Sequence, residues 1–72
     1  MNDPRILFGQ RVRQFRKAQG LSQEAFAAKS GIDRSYMGAV ERGENNLALI
    51  NICKIAVALE VPLSKLMDFP LE

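Results

Sequence analysis

An all-α domain of five short helices is the fold this 72-residue sequence predicts. Three observations point to it. Apolar residues recur at three- and four-residue spacing, and nothing alternates with period two for long enough to make a strand. Helix-starting residues stand just ahead of these runs: Asp3-Pro4, Ser22 and Asp33. Helix breakers follow them: Gly20, Gly31, Gly43 and Pro62.

The first helix is expected over about 4–19, from the cap Asp3 and the first helical residue Pro4. Leu7, Phe8, Val12, Phe15 and Ala18 make its apolar side. Ser22 caps a second helix, with Gln23 and Glu24 in its first turn and Ala25, Phe26 and Ala27 on its inner side. Asp33 caps a third, Arg34 to Arg42, which Gly43 ends. After the polar loop 44–46, a fourth helix runs from about Ala48 to Leu59. A short fifth turn covers Ser64 to Met67. The expected core is Phe8, Val12, Phe15, Leu21, Phe26, Ala27, Ile32, Met37, Val40, Leu49, Ile52, Ala56 and Leu59. Cys53 is expected to be a small core residue.

Bulk properties narrow the function. A chain this short makes a single domain, 1–72, with a small interior. The lone cysteine rules out an intrachain disulfide, and with no histidine a Cys/His zinc site is excluded. Dimerisation is the remaining reinforcement. No apolar run approaches the roughly 18 residues of a membrane helix, and the first ten residues lack the pattern of a signal peptide. A cytoplasmic protein fits best. With no glycine-rich phosphate loop and little room for a pocket, an enzyme is disfavoured, and no cofactor, metal or small-molecule ligand is expected. The net charge of +2 permits nucleic-acid binding without arguing for it. Basic residues concentrate early, at Arg5, Arg11, Arg13, Arg16 and Lys17, where Asp3 is the only acid; alone, this can be a solvated helix face.

The segment from Gly20 to Gly43 carries more. Two short helices joined at Gly31, with apolar Ile32 to plug the corner, match a helix-turn-helix over about residues 22–42. Gly31 tolerates the positive φ that such a turn needs. The sequence resembles the phage-repressor-like, xenobiotic-response-element type helix-turn-helix family. The matching residues are Gly9, Val12, Arg13, Arg16, Gly20 to Gln23, Ala27, Gly31-Ile32, Glu41 to Gly43, Asn46 and the run Ile55 to Val61. Within that family, DRSYM followed by ERGENNL is similar to the controller proteins of restriction-modification systems.

The resemblance implies a lambda-repressor-like DNA-binding domain whose third helix enters the major groove with its first residues at base edges. That groove is about 12 Å wide and admits one helix. Arg34 suits guanine O6 and N7, and Ser35 can donate or accept. Tyr36 either packs on the core or reaches DNA. Gly38 and Ala39 face either the DNA, with the Ala39 methyl near a thymine methyl, or the second helix. Gln23 matches a backbone-contacting glutamine, beside amide groups that suit a phosphate. Arg13, Lys17, Arg42, Asn45 and Asn46 are further backbone candidates. Arg16 and Glu41 match an internal ion pair.

The fourth helix is more apolar than a one-sided helix requires, with Lys54 its only charged residue. Ile50 and Val57 flank the expected core stripe, and Leu63, Leu66, Met67 and Phe69 follow. Together they predict an exposed apolar patch and a dimer interface in the region 47–70. The expected function is a homodimeric regulator on a palindromic double-stranded DNA operator, of the controller type, with RNA polymerase a further candidate partner. The alternative is an antitoxin or protein-interaction module of the same fold.

Overall fold

The computed structural model describes residues 1–72. It contains α1 (Pro4–Ala18), α2 (Gln23–Ser30), α3 (Arg34–Arg42), α4 (Leu49–Leu59) and α5 (Leu63–Leu66), and no strand. The helix starts follow local chemistry. Asp3 accepts the Arg5 amide, Ser22 the Ala25 amide, and Asp33 those of Ser35 and Tyr36. α4 has no side-chain cap at Ala48 and starts without that help.

The helix ends share one device. Gly31 and Gly43 sit in the left-handed region, and the next amide reaches back over the last turn: Ile32 to the Ala27 carbonyl, Glu44 to that of Ala39. Glu60 closes α4 in the same way and is the single non-glycine residue with positive φ.

α1 packs on α3, α4 and α5, while α2 packs on α3 and α4. The α1–α3 crossing is close because of Gly9. A Cβ there would lie 2.8 Å from the Glu41 carbonyl oxygen and closer still to that of Val40. A Cβ at Gly43 would lie 2.7 Å from Ile6 Cα. The core holds Phe8, Val12, Phe26, Ala27, Ile32, Met37, Val40, Ile55, Ala56, Ala58, Leu59 and Leu66, with Phe15, Leu21 and Ile52 packed at its edge.

Several expectations for the C-terminal third are corrected. Leu49, expected in the core, is 70% exposed, and Cys53 is exposed rather than buried. Ile55 and Ala58 are buried instead. The inward face of α4 is thus Ile55, Ala56, Ala58 and Leu59, with Ile52 at its edge, and α1, α2 and α5 pack against this helix. Leu66, expected at a dimer interface, is fully buried in the monomer. It anchors the four-residue α5, whose Lys65 carbonyl also accepts Arg11 Nη2 at 2.6 Å. Phe69 likewise packs against the core. α5 itself begins at Leu63 and ends at Leu66, one residue earlier at each end than expected.

Candidate nucleic-acid interface

The turn between α2 and α3 is three residues long. Gly31 reverses the chain, Ile32 is buried beneath it, and Asp33 opens α3. Asp33 spends its carboxylate on the Ser35 and Tyr36 amides, at 3.0 and 3.3 Å. Met37 and Val40 then bury the inner side of α3. With those two inside, helical geometry turns Ser35, Gly38, Ala39 and Arg42 outward, with Arg34 on the flank. Arg34 and Ser35 are exposed at the start of the helix.

Tyr36 is half-buried against the core. Its hydroxyl accepts a hydrogen bond from Asn51 Nδ2 at 3.3 Å, so the phenolic proton is left to donate elsewhere. Ala39 is half-buried. Gly38, although on the outward side of α3, is covered: a Cβ there would lie 3.1 Å from Arg42 Nη1 and 3.6 Å from Gln23 Oε1. Gly38 therefore lies beneath one side chain from α2 and one from its own helix.

An ion pair organises the interior side of this region. Arg16 Nε donates to Glu41 Oε2 at 2.6 Å and Nη2 to Oε1 at 2.9 Å. Nη1 donates to the Leu21 carbonyl at 2.8 Å. The side chains are only 10% and 3% exposed. The Glu41 carboxylate raises the Arg16 pKa further above its ordinary range. Glu41 Oε1 also accepts Gln23 Nε2 at 3.1 Å. One buried carboxylate thus ties α1, α2 and α3 together and orients Gln23 at the start of α2.

The remaining candidates are spread around this centre. Arg13 and Lys17 lie exposed on α1 beside Gln10 and Gln14. Arg42 is exposed and paired with Glu44 through two hydrogen bonds, 2.8 and 3.2 Å long. Hydrogen bonds from Arg42 hold the Glu44 carboxyl below its usual range. Asn45 is half-buried and Asn46 exposed. Sequence reasoning missed the partners Glu44 and Asn51. An i, i+2 acid after a basic helix end is a findable signal for Glu44; nothing local marks Asn51, which lies on another helix and meets Tyr36 through a hydrogen bond between residues 15 apart in the chain.

On α4, Leu49, Ile50, Cys53 and Val57 form an exposed apolar face, with Ile50 63% and Val57 77% exposed. Ile50, Cys53 and Val57 border a shallow groove closed by Lys29 and Ser30 of α2 and by Lys54. Leu63 and Met67 are also exposed. No helix is long and apolar enough to cross a membrane.

Two short helices meeting at a glycine turn, the second with an exposed polar start, define a helix-turn-helix DNA-binding domain. The chain belongs to the helix-turn-helix family, whose model matches residues 12–66. It is a DNA-binding regulator and not an enzyme. It is 43% identical over 69 residues to the control protein C.MunI of Mycoplasma sp, covering 94% of this chain and 93% of that one. It is 45% identical over 69 residues to the control protein C.BamHI of Bacillus amyloliquefaciens, covering 94% and 85%. Its fold superposes with TM-score 0.84 on the restriction-modification controller protein C.AhdI from Aeromonas hydrophila, at 53% identity, covering 86% of this chain and 94% of that one.

Proposed function

We propose that this protein is a homodimeric restriction-modification controller that binds a palindromic operator with α3 in the major groove. The observation that carries this reading is the extent of the likeness to control proteins, which runs beyond the helix-turn-helix through α4 and α5. Arg34 and Ser35 read base edges from the first turn of α3. Tyr36 supplies a donor from its free phenolic proton, and the Ala39 methyl faces a thymine methyl. Gln23, Arg13, Lys17, Asn45 and Asn46 hold the phosphates and set register.

The exposed α4 face supports a twofold dimer, with Ile50 and Val57 at its centre and Leu63 and Met67 at its rim. The domain measures 33 × 21 × 20 Å, and half-sites one DNA turn apart are about 34 Å from centre to centre. A single recognition helix covers one half-site, so a second copy is needed for the other. Control is by occupancy: the dimer governs its own gene and a neighbouring endonuclease gene by blocking or helping polymerase. Protein concentration is the input, made nonlinear by the monomer–dimer equilibrium.

A fluorescence-anisotropy titration of the DNA upstream of its own gene tests this. Wild type is expected to bind one palindrome, with affinity falling steeply as salt rises. Arg34→Ala should lose about tenfold or more on that site. Equal and salt-insensitive binding by both proteins would overturn the proposal.

A further inference from the structure

Arg42 lies at the C-terminal end of α3, where a recognition helix leaves the groove and a basic side chain ordinarily meets phosphate. Its actual position is different. Side chains on a helix lean toward its N-terminus, over the residue one turn back. For Arg42 that residue is Gly38, which has no side chain. The guanidinium occupies the opening, with Nη1 3.1 Å from the place a Gly38 Cβ would take. Arg42 is therefore delivered one turn forward, onto the outward row that begins at Ser35.

The guanidinium is also oriented. Nε and Nη2 are committed to the two Glu44 oxygens. Nη1, the nitrogen over Gly38, makes no hydrogen bond within the protein. Its neighbour across Gly38 is Gln23 Oε1, whose amide is itself fixed by Glu41. The outward face of α3 thus carries an aimed, unpaired N–H donor group at the place where another sequence would have a side chain at position 38.

We propose that Arg42 is a specificity-determining residue that reads an acceptor on a major-groove base edge, guanine O6 or N7, through Nη1 seated over Gly38. This rests on α3 being the groove helix. It explains why a glycine, poor in a helix interior, stands at position 38: the missing side chain makes the seat.

Selection of bound sequences from a randomised DNA pool tests it, using the full chain as wild type, Arg34→Ala, Arg42→Ala and Gly38→Met. Arg42 is exposed and its only hydrogen-bond partner is Glu44, so Arg42→Ala should fold normally. The expected result is that Arg42→Ala loses its preference at one base pair of each half-site, by about tenfold or more, and keeps the others. Gly38→Met, which fills the seat, should lose the same base pair. A uniform weakening of all sequences by Arg42→Ala, with the salt slope reduced by about one, would identify a phosphate contact and overturn the inference. Retention of that preference in Gly38→Met would overturn the seat. If wild type enriches no sequence, the groove reading fails and this inference with it. If Arg34→Ala loses a base pair and Arg42→Ala loses none, only this inference fails.

Discussion

Glu41 is the residue whose removal should do most harm for one carboxylate. In Glu41→Ala, Arg16 loses both of its carboxylate bonds and keeps only the Leu21 carbonyl, while Gln23 loses its acceptor. The Arg16 charge then stays in a site where its side chain is 10% exposed. Breaking such a buried pair costs about 3–5 kcal/mol, because the surviving charge is neither paired nor well hydrated. A domain of this size has about 4–11 kcal/mol in total, so the loss is a large share of it. At several degrees per kcal/mol for so small a domain, the melting temperature should fall by at least about 12 °C. Replacing both partners, Arg16→Met with Glu41→Leu, removes the unpaired charge along with the pair. That double variant should be more stable than Glu41→Ala and close to wild type. Urea unfolding followed by circular dichroism of Glu41→Ala, and of Arg16→Met, Glu41→Leu and their double variant as a double-mutant cycle, measures the loss and the coupling. A loss below about 1 kcal/mol in Glu41→Ala, or a coupling under about 0.5 kcal/mol, would refute the claim that this pair anchors three helices.

Gly9→Ala should cost at least about 2 kcal/mol in the same assay, since its Cβ meets rigid backbone carbonyls of α3. Gly38→Ala should keep or slightly raise stability, because only the flexible tip of Arg42 must move and alanine favours the helix. Equal losses in these two variants would contradict the packing at the α1–α3 crossing. Val57→Asp should leave the melting temperature of the monomer within a few degrees, because Val57 is exposed, yet abolish the dimer in sedimentation; a persisting dimer would move the interface elsewhere. Asp3 is held below its ordinary pKa of 3.8 by the Arg5 side-chain and amide hydrogen bonds. Its folded pKa is thus lower than its unfolded one, so its contribution is complete above about 3.8 and disappears as pH falls through the folded value. Asp3→Asn should flatten that part of the stability–pH curve, and an unchanged slope would show that the cap does not titrate with folding.

The helix starts and ends of the first three helices were legible because their causes are local. Asp3, Ser22 and Asp33 each satisfy amides within three residues of themselves, and Gly31 and Gly43 reverse the chain with bonds inside one turn. The helix-turn-helix was legible for the same reason, as was the exposure of Arg34 and Ser35 next to a cap. Phe8 and Val12 of α1 and Met37 and Val40 of α3 could be read as inward residues from their helical spacing, whereas Ala18, expected on the apolar side of α1, is exposed at its last turn.

α4 offered no such contrast. Of its eleven residues only Asn51 and Lys54 are polar or charged in the ordinary sense, so several apolar stripes fit helical spacing equally well. Which one turns inward was decided by α1 and α2, and the answer buried Ile55 while leaving Leu49 and Cys53 in solvent. Leu66 is the same case: its type suits an interface or a core, and the docking of α5 on α1 placed it inside. Gly38 is the clearest. Its residue type said that something comes close, and only the packed helices show that Arg42 and the Gln23 amide are what come. Local sequence determined where helices begin, end and turn, since those choices are made by hydrogen bonds a few residues long. Tertiary structure decided which apolar side is covered and which long side chains converge, since those depend on neighbours far away in the chain.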